Sequence, residues 1–205
     1  MVKTKHIKNN EIYITKITKL LKDLGINFKS YDLYLLAFVH RSLVNERPDL
    51  SLEHNERLEF LWDAVLELAI TTNLYNDYPN LPEWELTNYR SSLVKWLNLA
   101  KVAKKLKFDE YLILGKWEEM SWWRSNISLL ANCVESFLGA LYLDCWYSKA
   151  KEIIDKHIYA NLSDILEKNE LKDYKSLFQE KAQEKYFKTP NYKVIDESGL
   201  DHDKT

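Results

Sequence analysis

Along most of this chain apolar residues return every three or four positions, the spacing of helices with one buried face. Ile14, Ile17, Leu20, Leu21 and Leu24 predict an amphipathic helix from Glu11 to Leu24, with Gly25 as its stop. A second is expected from Tyr31 to Leu43 and a third from about His54 to Tyr75, with Pro79 and Pro82 beyond its end. The same spacing runs from Glu85 to Leu106, from Asn126 to Leu143 and from Ser148 to Ile165, with a loop over residues 114–125. No period-two alternation occurs before about residue 190. The chain to residue 165 is therefore expected to be all-α, packed around its two most apolar helices.

The third of these helices carries the first chemical signal. Placed at about 100° per residue, Leu58, Leu61, Trp62, Val65, Leu66 and Ala69 form one apolar face. Glu56, Glu59, Asp63 and Glu67 stack on the opposite face. Like charges at i,i+4 cost a few tenths of a kcal/mol per pair, and a merely wet face would intersperse Lys or Arg. Phe60 points to the acidic side as well. An aromatic among carboxylates implies a surface covered by a partner chain or a ligand.

The second signal lies in Asn126–Leu143, where Ser128, Asn132, Glu135 and Gly139 are small or polar exceptions on one stripe. A carboxylate in so apolar a helix must find a partner or lose its charge. Either Glu135 reaches a basic neighbour at the helix edge, or it meets Glu59 and Asp63 together with Asn132. The second arrangement gathers hard oxygen donors suited to Mg²⁺ or Mn²⁺. The five histidines lack the Glu-x-x-His spacing of di-iron bundles.

Composition narrows the picture only slightly. A hydrophobic fraction of 46% predicts a packed domain, and a net charge of −2 neither demands nor excludes nucleic acid. Cys133 and Cys145 form no metal-binding spacing, and the first residues lack an apolar signal region. The run Ile127–Leu143 is short for a membrane span and holds Asn132 and Glu135. A soluble, cytoplasmic protein with no membrane partner is expected.

The stretch Asn55-Glu56-Arg57-Leu58-Glu59-Phe60-Leu61-Trp62-Asp63-Ala64-Val65-Leu66 resembles the signature of the ribonuclease III family, with Trp62 where that signature carries Gly. His40-Arg41-Ser42, Pro82-Glu83-Trp84-Glu85-Leu86-Thr87 with Arg90-Ser91, and the run from Leu130 to Asp144 match further motifs in family order. The resemblance implies a dimeric helical endonuclease domain over residues 1–165 that cleaves double-stranded RNA with Mg²⁺, Mn²⁺ being a possible substitute, in rRNA and mRNA processing. Its implied metal-site residues are Glu59, Asp63, Asn132 and Glu135, with Asp63 and Glu135 catalytic. Asn132 stands where the family most often has Asp. Phe60 matches the aromatic that enters a socket on the partner subunit, and Glu56 lies beside that junction. The alternative is a catalytically weakened double-stranded-RNA-binding dimer of the same fold.

From about residue 171 the chain resembles the first part of the family's α-β-β-β-α double-stranded-RNA-binding domain. Residues 173–183 match its first helix, 191–195 its first strand and 198–202 the following loop, with Leu200 where Pro is usual. Gln179, Gln183 and His202 match positions that contact the RNA minor groove.

One oddity of composition remains. The chain has seven Trp and four Gly, against an average Gly usage of about 7%. Trp62, Trp84, Trp117, Trp122, Trp123 and Trp146 stand where the family pattern has Gly, and Trp96 is grouped with them. A UGA codon is read as Trp in some bacterial codes and as Gly in others. A single difference in codon reading is therefore expected to underlie all of these positions.

Overall fold

A computed structural model of the chain describes residues 11–50, 52–121, 123–167 and 174–193. The chain divides into two compact units, with the boundary between Lys168 and Asn169.

In the first unit, α1 (Glu11–Asp23) ends at Gly25, which takes φ 67° and lets the Gly25 and Ile26 amides return to the Lys22 and Leu21 carbonyls. The expected helix Tyr31–Leu43 is interrupted. It forms α2 (Tyr31–Ala37) and α3 (Arg41–Glu46), separated by a bridge between Val39 and Ile113. The Ile113 amide donates to Phe38 O and the His40 amide to Ile113 O. This pairing, made across the chain, withdraws the intervening backbone from the helix. His40 then restarts it, its Nδ1 accepting from the Ser42 amide.

The acidic helix is α4 (Glu56–Asp77), and the expected apolar face is the buried one: Leu58, Trp62, Val65, Leu66 and Ala69 are all in the core. The run expected from Glu85 to Leu106 breaks into α5 (Glu83–Val94) and α6 (Trp96–Lys105), because Lys95 adopts ψ 134°. The buried Asn98 amide donates to the Leu93 carbonyl that the break releases. Within the expected loop 114–125, a short helix α7 (Lys116–Met120) and a 3-10 turn (Trp123–Ser125) form.

The central element is α8 (Ile127–His157), which packs most extensively against α4, then α6 and α2. It joins the two helices expected at Asn126–Leu143 and Ser148–Ile165, with a kink between them at Trp146. The second ends early, at His157, and a turn (Tyr159–Asn161) leads to α9 (Leu162–Glu167). Although the run Ile127–Leu143 is short for a span, the continuous helix beginning at Ile127 is long and apolar enough to cross a membrane, but its apolar stretch lies mostly buried within the domain. Phe137 meets Phe108, Tyr34 and Phe38 with ring centroids 4.9, 5.7 and 6.1 Å apart. Near the kink, buried Asp144 accepts from the Lys29 and Ser30 amides and from Tyr34 Oη, which fastens the start of α2 to α8.

In the second unit the described element is α10 (Tyr174–Tyr186), in the place expected for the first helix of an RNA-binding domain. Residues 191–193 have no regular secondary structure. The rest of the expected strand, and the expected loop 198–202 with His202, lie outside the described residues.

Candidate active site

Close packing of α4 on α8 builds the site. Gly139 faces the backbone of Leu58, and its missing side chain lets the two helices approach. Glu135 and Asn132 lie one and two turns toward the N-terminus of α8 from Gly139, and Glu59 follows Leu58 directly. The stripe read from the sequence is thus the stripe that meets the acidic helix.

An open groove of about 650 Å³ results, lined by Glu56, Glu59, Phe60, Leu61, Asp63, Ala64, Glu67 and Glu135. Burial pushes the Glu135 carboxyl up to about 7, and the charges of Glu59 and Asp63 push in the same direction. The Glu59 carboxyl is also raised, first by burial and then by Glu56, while a hydrogen bond from the Asn132 side chain acts against the rise. That bond leaves Glu59 Oε2 buried without a hydrogen-bond partner. The reading in which Glu135 bonds a Lys is excluded by the same geometry, since no basic group contributes to its shift and it makes no ion pair among the described residues.

Glu59 Oε2 is thus an acceptor without a donor, a deficit that a hard divalent cation would fill. Among the described residues no three His, Cys, Asp or Glu side chains are drawn tightly enough together to make a finished metal cluster. The donor chemistry fits such an ion, and binding it would require the carboxylates to draw in.

Phe60 is 85% exposed on the groove wall, as its place on the polar side of the helix predicted. Glu56 lines the groove as well, ion-paired to Arg41 and close to His54. No local pattern pointed to that pairing, because Arg41 and Glu56 belong to different helices. In the second unit Gln179 is half-buried, and the exposed Gln183 donates from Nε2 to Thr189 Oγ1.

A profile of the ribonuclease-III-like family matches residues 30–162. The nuclease domain of ribonuclease III from Campylobacter jejuni, a structure described as flexible in a region involved in dimer formation, superposes with a TM-score of 0.65. It is 31% identical and covers 71% of this chain and 97% of that one. The fold is that of an all-helical nuclease domain. Ribonuclease 3 of Natranaerobius thermophilus is 45% identical over 189 residues, 92% of this chain and 81% of that protein. Ribonuclease 3 of Enterococcus faecalis is 44% identical over 188 residues, again 92% and 81%. The chain belongs to the ribonuclease III family.

Proposed function

We propose that the groove between α4 and α8 is the hydrolytic centre of a double-strand-specific endoribonuclease. The activity is the family's, and the observation that supports this location is a set of carboxylates brought together with no basic side chain among Glu59, Asp63, Glu67 and Glu135. Glu59, Asp63, Glu135 and the amide oxygen of Asn132 would hold Mg²⁺, with Mn²⁺ a substitute. When bound, the cation lowers the pKa of water and offsets charge developing on the leaving 3′ oxygen.

The chain's own residues prepare that chemistry. Asn132 donates to Glu59 and so orients one carboxylate. Burial and the charges of Glu59 and Asp63 raise the Glu135 carboxyl to about 7, so it is only partly ionised near neutrality, and a bound cation would favour the ionised form. Asp63, exposed on α4, presents its carboxylate to the open side of the groove. No His or Lys is needed as general base.

Phe60 suits a contact with a second copy of the chain, with Glu56 beside it, so the functional form is a homodimer with two grooves. Residues 171–205, within the second unit, belong to a double-stranded-RNA-binding domain in which Gln179, Gln183 and His202 would contact the minor groove. Processing of rRNA and mRNA in the cytoplasm is the setting this reading implies. A gel assay on duplex RNA of generic sequence, with Mg²⁺ and with chelator, tests it. Cleavage only with Mg²⁺ is expected. Binding without cleavage at any Mg²⁺ concentration would instead favour a catalytically weakened RNA-binding dimer.

A further inference from the structure

Glu56 is unlike the other acids of the groove in having a cation, Arg41, beside it. Arg41 Nη1 stands 3.0 Å from Glu56 Oε1, and His54 Nδ1 stands 3.7 Å from Oε2. Among the described residues no other carboxylate lining the groove makes an ion pair. The Arg41 and Glu56 side chains are 59% and 43% exposed, and pairs so open to water contribute little to stability. Folding alone gives little reason to hold a guanidinium here.

The backbone beneath Arg41 is, by contrast, tightly held. His40 is pinned to Ile113 through its amide and caps α3 through Nδ1. Buried Ser42 accepts from the Gly115 amide, and Glu46 accepts from the Lys116 amide, so α3 and α7 are locked together. Arg41 is the first residue of α3, and its side chain reaches from this fixed turn to Glu56 in the groove lining.

We propose that Arg41 is a substrate-binding residue that grips a backbone phosphate of the RNA beside the acidic groove, with Glu56 as the tether that aims it. This rests on the reading of the groove as the hydrolytic centre. An RNA strand must bring its phosphates to a wall of carboxylates that repels them. A guanidinium at the rim offsets that repulsion. One edge of its N–H fork faces Glu56, and the remaining donors are available to phosphate oxygens, for which Arg is the best-suited side chain.

The test is the salt dependence of binding between duplex RNA of generic sequence and the full chain carrying Glu135→Gln, so that binding is read without cleavage. Adding Arg41→Gln should weaken binding about tenfold. It should also reduce the slope of log K against log salt by about one phosphate contact. Arg41→Lys should restore most of the slope, since a point charge still meets the phosphate, but not the full affinity. Unchanged affinity and slope in Arg41→Gln, with an unchanged melting temperature, would overturn the assignment. If Arg41→Gln melts early, Arg41→Lys decides: full affinity there means the forked geometry plays no part and refutes the proposal, while partial affinity supports it. Cleavage of the same duplex by the unmodified chain with Mg²⁺ is scored separately. Cleavage with no Arg41 effect removes only the Arg41 assignment, and neither cleavage nor binding removes both readings.

Discussion

Gly139 of α8 lies directly against the carbonyl group of Leu58 in α4, so that a methyl group at position 139 would overlap the Leu58 oxygen. The contact sets how near Glu135 comes to Glu59, since each acid is within one helical turn of it. Gly139→Ala should therefore act on stability and activity together. Overpacking against backbone, which cannot rotate away, costs about 1–3 kcal/mol, and the forced separation should lower Mg²⁺-dependent cleavage. Chemical denaturation and a cleavage assay check both. A variant as stable and as active as the parent would show that the two helices can part without consequence.

Glu135→Gln should abolish cleavage and leave the fold intact. The pH dependence of stability supplies a second signature. The folded state holds the Glu135 carboxyl at about 7, above its ordinary value of 4.5. Its contribution is then fully present below about pH 4.5 and is lost as pH rises through about 7. Without divalent cation the melting temperature of the parent should fall across that window, and in Glu135→Gln it should fall less. Added Mg²⁺ should restore more stability to the parent at about pH 8 than at about pH 5. Identical pH profiles for the two proteins would remove Glu135 from the coupled site. Asn132→Asp, which adds a hard anionic ligand, should be tolerated.

Phe60 offers the clearest test of assembly. An aromatic anchor buried by a partner commonly contributes 2 kcal/mol or more, so Phe60→Ala should shift a dimer toward monomer in sedimentation. The monomer itself should lose little stability, because the ring is 85% exposed within one chain. A parent chain that sediments as a monomer at micromolar concentration would contradict the dimer.

The same helix shows what was legible in the sequence. Its buried and acidic faces, and the outward Phe60, follow from a rotation of about 100° per residue, so Glu59, Asp63 and the stripe from Asn132 to Gly139 could be placed before any coordinates. The breaks could not be. Residues 31–43 satisfy a helical pattern, and only the pairing of Val39 with Ile113, far along the chain, interrupts them. Residues 85–106 do likewise until Lys95, where the cost of leaving the helix is offset by the Asn98 amide on Leu93. Arg41 on Glu56 belongs with these, a contact between helices that no local spacing announces.

The tryptophans separate in the same way, and Trp146 becomes the decisive one. Its φ of 65° and ψ of 178° interrupt α8. That region of backbone space is almost reserved for Gly and costs another residue about 1–3 kcal/mol. The indole is 69% exposed and meets Tyr142 only edge-on, at 6.2 Å between centroids. Trp146→Gly should therefore stabilise the chain by about 1–3 kcal/mol. Trp62 should respond in the opposite sense. It is fully buried, so Trp62→Gly opens a cavity costing about 3–5 kcal/mol or more. That exceeds the roughly 1–3 kcal/mol recovered by removing its indole N–H, which is buried without an acceptor. Trp84, Trp96 and Trp117 lie in α5, α6 and α7 without the positive φ that would call for Gly; Trp122 is outside the described residues. The backbone thus argues for Gly at one site, while the shared-codon explanation covers them all, and the gene distinguishes the two. UGA at Trp62, Trp84, Trp96, Trp117, Trp122, Trp123 and Trp146 would mean that one difference in codon reading produced the whole set. UGG at most of them would leave Trp146 as a tryptophan held in strain, and its replacement by Gly as the measurement that shows the strain directly.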